Sequence, residues 1–104
     1  MPWHTVAQLA DVPPGSSREA IAGGRIVALF NVGGELFALD GICPHLGGPL
    51  GKGKLQGCIV TCPWHGWQFD VRDGQFQLHH SIVQPRLNVR TVGEEVQVEI
   101  ESTT

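Results

Sequence analysis

Four side chains, Cys43, His45, Cys62 and His65, place two sulfurs and two imidazoles on two short stretches, C-x-H and, after sixteen intervening residues, C-x-x-H. A thiolate is an anionic, soft donor, whereas a neutral imidazole is a borderline donor whose second ring nitrogen stays free to face solvent. Two loops that each offer one of each describe a mixed-ligand metal site. Two metals suit such a set. Tetrahedral zinc accepts two Cys and two His as a structural site. A two-iron, two-sulfide cluster accepts them with both His on one iron, and the exchange of two thiolates for two imidazoles removes negative charge from the ligand shell and raises the reduction potential. The spacing favours iron, because zinc loops usually set their first pair as C-x-x-C or wider, and C-x-H is tight. The proline after each cysteine and the glycines after each histidine are also more than zinc requires.

The flanks narrow the choice. Cys43-Pro44-His45-Leu46-Gly47-Gly48 resembles the first ligand loop of the Rieske iron-sulfur proteins, and Cys62-Pro63-Trp64-His65-Gly66-Trp67 resembles the second. The resemblance extends over the whole chain, since small Rieske ferredoxins are of similar length and also end in strands such as those read here over 87–91 and 95–101. It implies one 2Fe-2S cluster per chain, with Cys43 and Cys62 on the inner iron and His45 and His65 on the outer one. It further implies an all-β Rieske fold, an antiparallel β-sandwich or barrel base (1–42 and 84–104) carrying a small inserted cluster-binding subdomain (43–83), within a single domain spanning 1–104.

Those loops must be delivered by strands, and the chain is punctuated accordingly. Runs over 25–31 and 35–40 flank Val32-Gly33-Gly34, a hairpin signal because two glycines accept positive φ. Asp73-Gly74 and Gly93-Glu94 mark two further hairpins, while 67–71 and 96–100 alternate as strands do. No long helical period is present, and one turn is expected over Val6 to Leu9, before the Pro13-Pro14 break. Cys58 belongs to a β-branched run, 57–62, that reads as the strand leading to the second loop. It is therefore expected to be a small, inert core residue. His79 and His80 read as an exposed loop pair before the returning strand, and His4 is uninformative.

Composition limits what such a site can serve. With 104 residues, 41% of them hydrophobic, the chain is one small domain whose metal would add to its stability. A net charge of −3 without a basic run argues against nucleic acid and anionic membrane surfaces as partners. No stretch is apolar for long enough to span a bilayer, and the start lacks signal-peptide character, which points to the cytoplasm. A monomer is expected.

The neighbours of the ligands indicate the kind of Rieske protein. High-potential members carry an extra cysteine in each loop, joined as a disulfide, where this chain has Gly48 and Trp64. They also place a serine hydroxyl on a bridging sulfide and a tyrosine hydroxyl on a ligand sulfur. The matching positions here are Trp67 and Phe69, in a chain with no tyrosine. Fewer hydrogen bonds to sulfur disfavour the reduced, more negative cluster, so the potential should lie toward the low end of a range running from roughly −150 to +300 mV. Such a protein resembles the ferredoxin component of bacterial aromatic-ring dioxygenase systems. That resemblance implies a one-electron carrier, not a catalyst on its own, that takes electrons from a flavoprotein reductase and passes them to a terminal oxygenase. Docking is expected at the cluster tip, through Pro44, Leu46, Pro63 and Trp64. The small subunit of an assimilatory nitrite reductase is the alternative resemblance. Reduction is expected to raise the proton affinity of the free imidazole nitrogens of His45 and His65.

Overall fold

The computed structural model describes residues 3–43, 47–64, 66–78 and 81–100. Among them there is no α-helix, and no helix long and apolar enough to cross a membrane. Ten short strands form three antiparallel sheets. The first sheet joins β1 (Trp3–Gln8), β10 (Glu95–Glu99) and β9 (Val89–Val92) in that order. The second joins β2 (Ser17–Ala22), β3 (Arg25–Val32), β4 (Glu35–Asp40) and β8 (Arg86–Leu87). The third joins β5 (Lys54–Gln56), β6 (Ile59–Thr61) and β7 (Gln68–Asp70).

The second sheet is the middle layer, and β3 shows why. Its run Val27-Ala28-Leu29-Phe30 is buried throughout, as expected of a strand covered on both faces. Because side chains alternate, Val27 and Leu29 join one apolar cluster with Val96 and Val98 of β10. Ala28 and Phe30 join the other, with Val60 of β6, Phe69 of β7, Cys43 and Cys62. Ala38 and Leu39 of β4 divide in the same way. The cysteines therefore belong to the core shared by the middle and third sheets, on the opposite side from the terminal strands.

The glycine-rich hairpins form as read. Gly33 and Gly34, at φ 60° and 102°, connect β3 to β4 with Val32 facing Glu35. Gly93 connects β9 to β10 with Val92 facing Glu95. Asp73-Gly74 makes a turn whose Gly74 N–H donates to the Asp70 carbonyl at 2.7 Å, but only isolated bridges follow it.

Three expectations change. The turn expected over Val6 to Leu9 lies instead at Leu9–Asp11, because Val6 to Gln8 are drawn into β1 by pairing with β10, with a bulge between Thr5 and Ala7. Gln8 N–H donates to the Asp11 carboxylate at 3.1 Å and closes the shifted turn. Cys58 is half-buried in the Gly57-Cys58 turn between β5 and β6, not within a strand, because Gln56 pairs directly with Ile59. The expected strand over 87–91 is split at Asn88, where the chain crosses from β4 of the middle sheet to β10 of the first. His79 and His80 lie outside the described residues.

Candidate metal centre

Both cysteine loops are closed in the same way. Cys43 N–H donates to the Gly48 carbonyl at 2.8 Å, and Cys62 N–H donates to the Trp67 carbonyl at 2.7 Å, so each cysteine bonds to the residue five positions later. Gly47, at φ 75°, and Gly66, at φ 74°, supply the left-handed residue each tight loop needs. The first loop leaves β4 through Gly41, whose N–H donates to the Ile26 carbonyl at 3.0 Å. A Cβ at Gly41 would stand only 2.7 Å from the Ile26 side chain. The second loop leaves β6 and returns as β7.

The two loops meet at Gly48. A Cβ on that residue would lie 2.7 Å from the Cys62 sulfur and 2.9 Å from the Trp64 Cβ. Glycine thus permits the first loop, tied to Cys43, to lie directly against the second. Cys43 and Cys62 are each 1% exposed, and their common surroundings are Phe30, Leu39, Leu50, Val60 and Phe69. No disulfide involves any cysteine of the chain.

This donor set fits a metal group. Thiolates are tolerated in an apolar core when they bind a cation, and two soft donors on adjoining loops suit iron or zinc. The loops also carry His45 two residues after one cysteine and His65 three after the other. His45 and His65 lie outside the described residues, as do Pro44 and Leu46 of the expected docking rim. Of the other rim residues, Pro63 and Trp64 are exposed.

Behind the second loop is an aromatic stack. Trp67 lies on Phe76 with ring centroids 4.1 Å apart and planes inclined by 14°, and Phe69 is 5.5 Å from Phe76. Phe69 is fully buried. The two positions compared above with hydroxyl-bearing ones thus carry the aromatic rings of Trp67 and Phe69.

Gln84 is a contributor that motif reading missed. Its side chain is buried, and its Nε2 donates to the carbonyls of Asp40 at 2.6 Å and Ile42 at 2.7 Å. Its backbone N–H donates to the Gly74 carbonyl at 2.7 Å. One residue thus binds the stem of the first loop to the turn that follows the third sheet. A lone glutamine between irregular residues gives no sequence signal for that task.

Cys58 lies apart from the site and faces Asp70, with Sγ 3.8 Å from Oδ2. Asp70 accepts from Arg72 Nη2 at 2.8 Å, Arg72 Nε at 3.1 Å and the Arg72 backbone N–H at 2.9 Å. The Arg72 side-chain hydrogen bonds hold the Asp70 carboxyl below its ordinary range, against the opposing effect of burial. A depressed carboxyl contributes stability that is complete above its unfolded pKa of about 3.9 and is lost as pH falls through its lower folded value. Asp70→Asn should therefore cost stability near neutral pH, and denaturant titrations should show that cost shrinking as pH falls below about 4. A cost that is unchanged down to about pH 2 would assign the effect to packing.

Comparison with known proteins agrees with the geometry. A family model described as Rieske [2Fe-2S] domain matches residues 2–96. The ferredoxin component of naphthalene 1,2-dioxygenase/salicylate 5-hydroxylase systems from Ralstonia sp is 36% identical over 73 residues, which cover 70% of each chain. The ferredoxin of carbazole 1,9a-dioxygenase from Nocardioides aromaticivorans IC177 superimposes with a TM-score of 0.87 at 25% identity, over 97% of this chain and 100% of that one. A complex of reduced oxygenase and oxidized ferredoxin in carbazole 1,9a-dioxygenase contains a chain matched with a TM-score of 0.84 at 28% identity, over 98% of this chain and 96% of that one. Other relatives are much longer: this chain spans 16% of cholesterol 7-desaturase from Xenopus laevis, to which it is 35% identical over 75 residues, 70% of this chain. A nitrite reductase NADPH small subunit, at 19% identity, shares the fold alone.

Proposed function

The chain belongs to the Rieske [2Fe-2S] domain family, and from that premise we infer that it is a one-electron carrier in an oxygenase system, receiving electrons from a flavoprotein reductase and delivering them to a terminal oxygenase. The observation that carries this reading is the pair of buried cysteines on two identically closed loops that meet at Gly48. The ferredoxin of N. aromaticivorans IC177, matched along its full length, supports a carrier in preference to a catalytic subunit.

In this reading residues 43–83 form the cluster-binding unit upon a base of 1–42 and 84–104. Cys43 and Cys62 would hold one iron, and His45 and His65 the other. When bound, the cluster supplies reversible one-electron chemistry. The protein does the rest. Phe30, Leu39, Leu50 and Phe69 keep water from the two sulfurs. The imidazole nitrogens of His45 and His65 not engaged in holding the group would be the ones able to exchange a proton with solvent. Trp64, 48% exposed, and Pro63 give a partner an apolar edge to dock on. A small interface suits a protein that must bind, transfer an electron and leave.

Protein purified without oxygen damage should be coloured and paramagnetic when reduced. Its midpoint potential should fall below about +100 mV. A colourless protein that holds zinc, or a midpoint above that value, would overturn the reading.

A further inference from the structure

The segments that surround the site contain no formally charged side chain. Residues 41–51, 55–69 and 74–85 hold no Asp, Glu, Lys or Arg. These stretches adjoin. The first and second loops meet at Gly48, Gln84 joins 84 to 42, and a hollow lined by Gly66, Trp67, Gln68, Phe76, Gln77 and Leu78 joins the second loop to the excursion after β7. Three of the charged residues bordering them are neutralised by ion pairs, Asp40 by Arg25 at 3.2 Å, Lys52 by Glu19 at 3.8 Å and Asp70 by Arg72 at 2.8 Å. Lys54, Asp73 and Arg86 also stand at the borders, two cations and one anion, while most of the acidic excess lies elsewhere in the sequence, in Asp11, Glu35, Glu94, Glu95, Glu99 and Glu101. Glu35 begins β4 and the uncharged segment begins after Asp40, so the two ends of that strand are roughly 17 Å apart.

The uncharged region is also apolar. Leu78 is 82% exposed, Ile42 51% and Val83 50%, and each lies on one of these segments. Exposed apolar residues scattered singly mean little, but here they share one uncharged end of the molecule with Trp64.

We propose that this end is the docking face, that it reaches beyond the two ligand loops to Leu78, and that it is built for a redox partner whose matching face is itself apolar and uncharged. The proposal rests on the carrier reading and identifies the partner's surface chemistry. Charge complementarity carries it. A charged partner face would have to bury its charges against a surface with none to pair them, which is costly. Apolar contact instead releases water, and its strength is little affected by modest salt.

The test uses the reduced, cluster-loaded protein and two small oxidants, ferricyanide as the anion and hexaammineruthenium(III) as the cation. Electron transfer through an uncharged face should change by less than about tenfold for either oxidant between about 10 and about 500 mM salt. Opposite changes of more than about 100-fold would show that the oxidants feel the whole net charge, and would overturn the proposal. Two variants that raise net charge equally locate the effect. Leu78→Lys should speed ferricyanide and slow the ruthenium complex at least about threefold at low salt, whereas Glu94→Gln should alter neither by more than about 1.5-fold. Equal responses of the two variants would overturn the proposal. Chemical-shift mapping with hexaamminecobalt(III), which needs no electron transfer, should perturb the amides of Glu94 and Glu95 and spare 75–78. A perturbation at 75–78 would refute the uncharged face, whereas absence of a cluster would refute the carrier reading alone.

Discussion

Cys62→Ser should abolish the visible absorption of the purified protein and lower its thermal midpoint by about 10 °C or more. Two effects combine. Cys62 is 1% exposed in the cluster of apolar residues that joins the middle and third sheets, so a serine there sets a hydroxyl among Phe30, Leu39, Val60 and Phe69. An unsatisfied hydroxyl in such surroundings costs about 1–3 kcal/mol. Loss of a metal group held only by the folded state removes its binding free energy from the stability as well. At roughly 4–8 °C per kcal/mol for a domain of up to about 100 residues, the first effect alone accounts for several degrees. Cys58→Ser is the control, because Cys58 is half-buried in the β5–β6 turn and faces Asp70. It should keep full absorption. Retained absorption in Cys62→Ser would remove that residue from the ligand set.

How much of this could be read from the chain depends on where each interaction partner lies. The two tight loops that carry Cys43 and Cys62 were legible because each brings its own glycine and because the closing hydrogen bond spans only five residues. The Gly33-Gly34 and Gly93 hairpins were legible for the same local reason. The run over 25–31 was legible as one arm of a hairpin, but that both faces of β3 are covered emerges only from the structure. What escaped depends on distant partners. β2, Ser17-Arg18-Glu19-Ala20-Ile21-Ala22, has little strand propensity of its own and becomes a strand by pairing along its length with β3. Asn88 divides two strands because its neighbours pair with different sheets. Gln84 acts on carbonyls more than forty positions away. Interactions of that separation leave no periodicity to detect.

The electronic character of the site sets the other large effect. Trp67→Ser combined with Phe69→Tyr should raise the midpoint potential by about 100 mV, on the basis that a hydrogen bond worth about 1.4 kcal/mol to the reduced form shifts a one-electron couple by about 59 mV. Each substitution restores a hydroxyl at the position where high-potential relatives of this fold carry one. The surroundings make the test exacting. Phe69 is fully buried, so a tyrosine hydroxyl there either finds a sulfur acceptor or goes unsatisfied. In the first case the potential rises, and in the second the protein loses stability without a change in potential. Trp67→Ser also removes the stack on Phe76, whose ring lies 4.1 Å away, so some stability is lost in either case. Trp67→Phe separates the contributions, because it keeps an aromatic ring on Phe76 and adds no hydroxyl. Its midpoint should stay within about 20 mV of the parent, given the same conversion. Should the serine and tyrosine variants stay within that margin too, burial and net charge, not the missing hydroxyls, would be what sets the potential of this centre.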